Sequence, residues 1–365
     1  MAFLTGLLLI DAPASALNNA RADGGSREQN RIMVKQIPAP GMMSYPYVSA
    51  QAFRYWLRTT LSRTEGLEWK EAPVYRESKI AYTDANPLRY WDDDLFGYMR
   101  AESSKKDAKK VKGKEIERGD ETPTTITITR VSPFRVSTLV AITPTWIVKD
   151  FGVMARQEGD PVPHEHEFYR TTLQGLLSLD LRSAGTFWIS EKTGFKNLDE
   201  NRIAEAEEMG LEQTTVDGMK AFRLSDEERA RRISSLLGGL ANLQGGAKQA
   251  LHYTDVSPSL LIFAVIRGGN HIFHHVMGSD NQGFPMVQWE ALQEILTVYR
   301  DQIISPLYIG WPLGYLPKQR RDMERFLADW KEEGVVQEAF LDHPLLVMQR
   351  LAKDILRPES REWLQ

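Results

Sequence analysis

The sequence predicts an α+β domain built on an antiparallel sheet. Three observations predict it. An apolar run, Leu4–Ile10, opens the chain as a central strand, and an amphipathic helix follows close behind. After a long irregular middle the chain returns to helix, Asp226–Leu243, and then to strand, Leu260–Ile266.

Leu4 to Ile10 is apolar throughout and is bounded by Pro13. A polar, glycine-containing loop spans 14–30. Arg31–Ile37 is a second short apolar stretch, carrying Lys35, and Pro38–Gly41 is a turn. Val48–Leu61 reads as a helix. Val48, Ala52, Trp56 and Leu57 recur at helical spacing, Gln51, Arg54 and Arg58 lie on another face, and Ser49 offers a cap. Residues 62–135 read as an insertion with an aromatic-acidic cluster, Tyr90–Met99, and a lysine-rich low-complexity stretch, Ser103–Asp120, expected to be weakly ordered. Thr124–Thr129 and Phe134–Ile142 pattern as strands. Trp146–Tyr169, with Gly152, Gly159, Pro161 and Pro163, suggests a long hairpin or extended arm.

Leu173–Leu181 and Thr186–Ile189 resume strand patterning. The helix Asp226–Leu243 carries Arg229, Arg231 and Arg232 and ends at Gly245-Gly246. Trp289–Ile304 is an amphipathic helix, and the tail Gln319–Leu364 is helical and charged on its outer face. No internal repeat is present. A ferredoxin-like core with excursions is the simplest arrangement of these elements.

At 365 residues the chain accommodates one large domain with insertions, or two domains. With 42% apolar and 26% charged residues it has the composition of a soluble globular protein. A net charge of −4 gives no bulk attraction for nucleic acid, but binding depends on where the basic residues sit. The absence of cysteine excludes disulfides, thiolate zinc sites and a cysteine nucleophile, and fits a cytoplasmic location. Met1–Ala16 superficially resembles a signal peptide, yet no Lys or Arg precedes Arg21, so a buried first strand is the expectation. No run reaches transmembrane length, and no membrane partner is expected.

Catalytic and metal chemistry find little support. His164 and His166 would share a strand face, and His271, His274 and His275 lie close together, but no HExxH spacing occurs. Between Pro161, Pro163 and Phe168 these read as solvated or strand-face histidines. GxSxG, GxxxxGK[ST] and GxGxxG are all absent. Asp92–Asp94 could hold a divalent cation, but Tyr90, Trp91, Phe96 and Tyr98 around it favour a packed structural knot. No metal, cofactor or enzymatic activity is expected.

Two segments suit a polyanion. One is the helix after Pro46, where Ser49, the free N–H groups of the first turn, Gln51, Arg54 and Arg58 could make an anion site; an ordinary solvated face fits the same residues. The other is the glycine-rich run 238–249, in which Gly245, Gly246, Lys248 and Gln249 would let a backbone approach phosphate closely; a helix cap with a loop fits equally.

These two segments are also where the chain resembles a known family. Leu4–Ile10, Ala16-Leu17-Asn18-Asn19, Val34-Lys35 and Tyr45–Arg58 together are similar to the backbone subunit of Cascade, the seventh CRISPR-associated protein family, in its DevR-like type I-B branch. The likeness continues through Asp93–Met99, Ser132–Ser137 and Thr254–Pro258, over about three quarters of the chain. It implies a right-hand-shaped molecule. An RRM-like (ferredoxin-like) palm would span 1–61 and 136–318, a fingers insertion 62–135, and a thumb hairpin about 149–163. A helical C-terminal extension, 319–365, goes beyond the family core. Copies would polymerise along a CRISPR RNA beside other Cascade subunits, presenting the guide to target DNA through sequence-independent backbone contacts. By matching position, Asn18, Lys35, Ser49, Gln51, Arg54, Arg58, Gly245, Gly246, Lys248 and Gln249 would line the RNA. Phe151, Val153 and Met154 would be the thumb wedge.

Two rival readings differ in class. Related type III backbone subunits cleave target RNA with a loop aspartate, for which Asp23 is the analogue here. The other is a structural protein without nucleic acid.

Overall fold

The computed structural model describes residues 1–21, 31–77, 80–102, 121–156 and 158–365. Asp23 and the lysine-rich stretch Ser103–Asp120 lie outside the described residues. The chain is mixed α+β, with a large, mostly antiparallel sheet and several helices.

Ala2–Ser15 is the centre of that sheet. Leu4, Leu8 and Ile10 enter one hydrophobic core, while Phe3, Leu7 and Leu9 enter another on the opposite face. A strand buried on both faces has no polar side to show, hence a run that is apolar except for the buried Thr5. It pairs antiparallel with Leu260–Arg267 on one side (Leu4 opposite Val265) and with the 19-residue strand Val162–Asp180 on the other (Leu4 opposite Leu179). The far edge of that long strand carries Phe134–Val136 and Leu139–Ala141.

The helices are α1 (Ala50–Arg63), α2 (Trp91–Phe96), α3 (Glu200–Glu208), α4 (Asp226–Ala241), α5 (Trp289–Val298), α6 (Pro317–Glu332) and α7 (Pro344–Ile355). One face of the sheet is covered by α1, α4 and α7 through Phe53, Leu57, Ile233, Leu236, Val347 and Leu351. The other is covered by α5 and α6 through Leu292, Leu296, Met323 and Trp330. The sheet therefore lies between two helical layers.

Two sequence expectations change here. Gly238 and Gly239 belong to α4 and not to a phosphate loop, because α4 must pack closely on α1. A Cβ at Gly239 would stand 2.4 Å from a Leu61 methyl. The C-terminal segment, expected to be helical, also supplies a strand and enters the core. Ala339–Asp342 extends the sheet in parallel with Leu307–Gly310, α7 packs in the main core, and Trp363 and Leu364 are buried there. The Leu364 carbonyl accepts hydrogen bonds from Arg229 and Arg223, both at 2.6 Å.

A second lobe has its own small core of Leu88, Phe187, Leu198, Ala206, Phe222 and Leu224. It draws on residues 186–224 as well as the expected 62–135 insertion. Arg202, fully buried on α3, ties the two together by donating to the carbonyls of Asp84 and Ala85 at 2.6 and 2.7 Å.

Helix α2, buried along its whole length, supplies Asp92, Asp93 and Asp94 to this lobe. Asp92 accepts from the Ala72 N–H at 2.8 Å and Asp93 from the Asn86 N–H at 2.9 Å. Burial pushes both carboxyls well above the ordinary carboxylate range, and the charge of Asp92 adds to the push on Asp93. A carboxyl raised on folding stabilises fully below its unfolded value near pH 4, and that stability is lost as pH rises toward neutrality. Asp92→Asn is therefore expected to cost less at pH 8 than at pH 5, by on the order of 1 kcal/mol, in denaturant titrations at the two pH values.

Candidate nucleic-acid interface

The site is organised around the first turn of α1. Ser49 caps it, accepting from the Ala52 N–H at 3.3 Å. Asn18, just past the central strand, holds this turn in place: its Oδ1 accepts from the Ser49 N–H at 3.1 Å, and its carbonyl from the Lys35 N–H at 2.9 Å. No acidic residue occupies the first turn, so the positive end of the helix is not neutralised from within. Gln51 is exposed on the same turn.

The turn after α4 folds onto this corner. The Ala247 N–H donates to the Leu17 carbonyl at 2.9 Å, and the Gln244 N–H to Thr60 Oγ1 of α1 at 3.0 Å. Only glycine fits the approach. A Cβ at Gly245 would sit 2.3 Å from the Trp56 ring, and one at Gly246 2.7 Å from a Leu17 methyl. Gly246 also has φ +99°, and Lys248 is left-handed at +57°. Lys35 and Lys248 make no ion pair among the described residues. Asn18, Lys35, Ser49, Gly245, Gly246 and Lys248 thus meet at one corner.

Three expected site residues turn away from it. Arg54 is half-buried and donates to the Phe134 carbonyl at 2.9 Å and to Ser132 Oγ at 3.3 Å. Arg58 stacks on Phe96, 4.3 Å from the ring centre, with Asp92, Asp93 and Glu71 as its charged neighbours. Burial holds both guanidinium groups below their ordinary pKa. Gln249 commits its amide to the loop itself, donating to the Gly245 and Thr254 carbonyls and accepting from the Thr254 N–H at 2.9 Å. Polar spacing along a helix does not reveal that Phe134 and Phe96, far off in the sequence, claim its arginines. Replacing Arg54 and Arg58 by Ala is accordingly expected to lower the melting temperature while leaving the salt slope of RNA binding within about half a unit of wild type.

The expected arm is a two-stranded hairpin. Val148–Met154 pairs antiparallel with Val162–Phe168, and the second of these strands continues into the central sheet. Phe151, Val153 and Met154 are 71%, 60% and 60% exposed. Phe151 and Val153 share one face by strand alternation, and Met154 lies on the other. Asp150 pairs with His166 at 3.2 Å at the root of the hairpin, where the His252 ring stacks on Phe168 at 4.9 Å and meets His166 edge-on at 5.2 Å. Burial, helped by His166, holds His252 below its ordinary pKa, so the ring is neutral at neutral pH. His252 therefore pins the glycine turn to the hairpin. Sequence reasoning missed it because it stands 86 positions from its partner His166. Changing Phe151 and Met154 together to Ser is expected to alter monomer stability by less than about 1 kcal/mol and to impair RNA-bound assembly, checked by melting and by size-exclusion chromatography.

His164 and His166 do share a face, with rings 6.0 Å apart. Even so, no group of three His, Cys, Asp or Glu side chains among the described residues is placed to hold a metal ion. His271 bonds to the Gly6 carbonyl at 2.8 Å, and His274 and His275 lie against each other. No helix among the described residues is long and apolar enough to cross a membrane.

No family model matches the chain, and no curated protein matches it. Among solved structures, a chain described as "CRISPR RNA-guided surveillance complex" is similar at 13% identity, with 96% of this chain and 99% of that chain covered and a TM-score of 0.47. Another, described as "CRISPR RNA-guided surveillance complex, pre-nicking", is similar at 12% identity, with 97% and 100% covered and a TM-score of 0.51. At 12% identity the second likeness is one of fold.

Proposed function

We propose that this chain is the non-catalytic, RNA-binding backbone subunit of a CRISPR RNA-guided surveillance complex of the Cascade kind, in the type I-B, DevR-like branch. In this reading the strand order Leu260–Arg267, Ala2–Ser15, Val162–Asp180, Leu139–Ala141, with α1 and α4 as crossovers on one face, is an RRM-like palm. The second lobe is the fingers and the hairpin is the thumb. Copies coat a CRISPR RNA in the cytoplasm beside other Cascade subunits and present it to target DNA.

The observation that carries the reading is the corner at α1. Two lysines without an ion pair among the described residues, an un-neutralised helix N-terminus and a glycine turn converge there, and each can engage a phosphate whatever base is attached to it. A protein that must accept every spacer needs such a surface. The fold likeness over 97% of the chain supports the same reading.

The test is binding of two RNAs of unrelated sequence across a salt series. Equal affinities with a steep salt dependence are expected. Affinity for one sequence alone, or none for RNA, overturns the reading. Guide-dependent RNA cleavage that disappears in Asp23→Ala would replace it with an endoribonuclease.

A further inference from the structure

The loop that follows the glycine turn is braced from within. Gln249 clamps both ends of it, and His252 is stacked under the hairpin. Thr254 Oγ1 bonds to Ser15 Oγ at 2.6 Å, inside the protein. Lys248, at the start, holds a left-handed conformation that disfavours a side chain and persists only where the surroundings enforce it. With 249, 252 and 254 directed inward, Leu251 and Tyr253 are left outside, 60% and 81% exposed. Tyr253 is the most exposed aromatic side chain among the described residues. A flexible loop could fold such a ring back onto the protein, but this one is held so that the ring stays out.

We infer that Tyr253, with Leu251 beside it, is a stacking platform for an unpaired nucleobase of the RNA whose phosphates pass Lys248. The inference rests on the RNA-binding reading above and adds to it the one contact there that engages a base. A phenol ring offers a π-face to any base, so stacking adds affinity without sequence preference. The ring stands five positions from Lys248 in a loop too short and too tightly bonded to carry it elsewhere. That spacing suits a strand whose phosphate meets the ammonium while the attached base turns toward the ring.

The experiment uses the full chain with an RNA carrying 2-aminopurine at successive single positions. Wild type and Tyr253→Phe are expected to quench the probe at a subset of positions, and Tyr253→Ala to lose that quenching. Tyr253→Ala should also weaken binding about tenfold or more, with melting temperature and salt slope unchanged because no charge is removed. Quenching and affinity as in wild type for Tyr253→Ala would overturn the stacking alone. Retained quenching with loss of assembly between copies would likewise overturn it, assigning the ring to a protein contact. A wild-type protein that binds no RNA would instead overturn the RNA reading and, with it, this one.

Discussion

Asp94→Ala is expected to destabilise the protein by about 3–5 kcal/mol, the loss typical of removing one partner from a buried ion pair. Asp94 is fully buried and is the anion for two buried cations. Arg130 donates to its Oδ1, Arg232 Nη1 donates to its Oδ2 at 2.8 Å, and the Gly185 N–H donates to both oxygens at 3.0–3.1 Å. The two arginine side chains are 1% and 2% exposed. Both also donate to backbone carbonyls, Arg130 to Thr186 and Ser183 and Arg232 to Pro87 and Leu88. Those carbonyls fix the guanidinium groups in place, so neither can move to water when the carboxylate goes. Two buried cations would remain, with Glu228 3.1 Å from Arg232 Nε. Denaturant titration of Asp94→Ala against Glu68→Ala is the check. Glu68 pairs with Arg231 on the surface, where the loss is about 0–1 kcal/mol. Equal losses would mean that Asp94 does not hold the lobe to α4.

The largest functional effect is expected from Lys35→Ala combined with Lys248→Ala. These lysines come from different parts of the chain and reach the same corner through Asn18 and Leu17. Removing one ammonium from a phosphate should lower the slope of log K against log salt by about one, so removing both should lower it by about two. Affinity near physiological salt should fall on the order of tenfold to a hundredfold, equally for RNAs of unrelated sequence. Both side chains are at least partly exposed and free of ion pairs among the described residues, so the melting temperature should not change. An unchanged salt slope would remove this corner from the RNA path.

The parts of this molecule legible in its sequence are those set by local pattern. Leu4–Ile10 announces a strand covered on both faces, and Ser49 with Trp56 and Leu57 announces α1 and its cap. Phe151, Val153 and Met154 around Gly152, followed by Gly159, Pro161 and Pro163, announce an arm. What stayed hidden depends on pairing between distant segments. Nothing near Arg232 says that its counter-ion lies 138 residues earlier, or that Arg54 will be claimed by Phe134. Gly239 next to Gly238 resembles a flexible turn until Leu61 is seen against it. The strand Ala339–Asp342 is too short to stand out among charged helices, and it forms because Leu307–Gly310 offers an open edge.

The strand Val162–Asp180 runs without interruption from the hairpin to the far end of the sheet, roughly 60 Å at about 3.3 Å per residue. This makes it a mechanical member. Its hydrogen bonds to Ala2–Ser15 lie across its length, so a pull on the hairpin along the strand axis loads many of them side by side. Bonds loaded in shear must yield together, whereas bonds at a peeling edge yield one at a time. A chain of copies linked through their hairpins would pass tension through the stiffest part of each protein, while the helical layers on either side carried almost none of it.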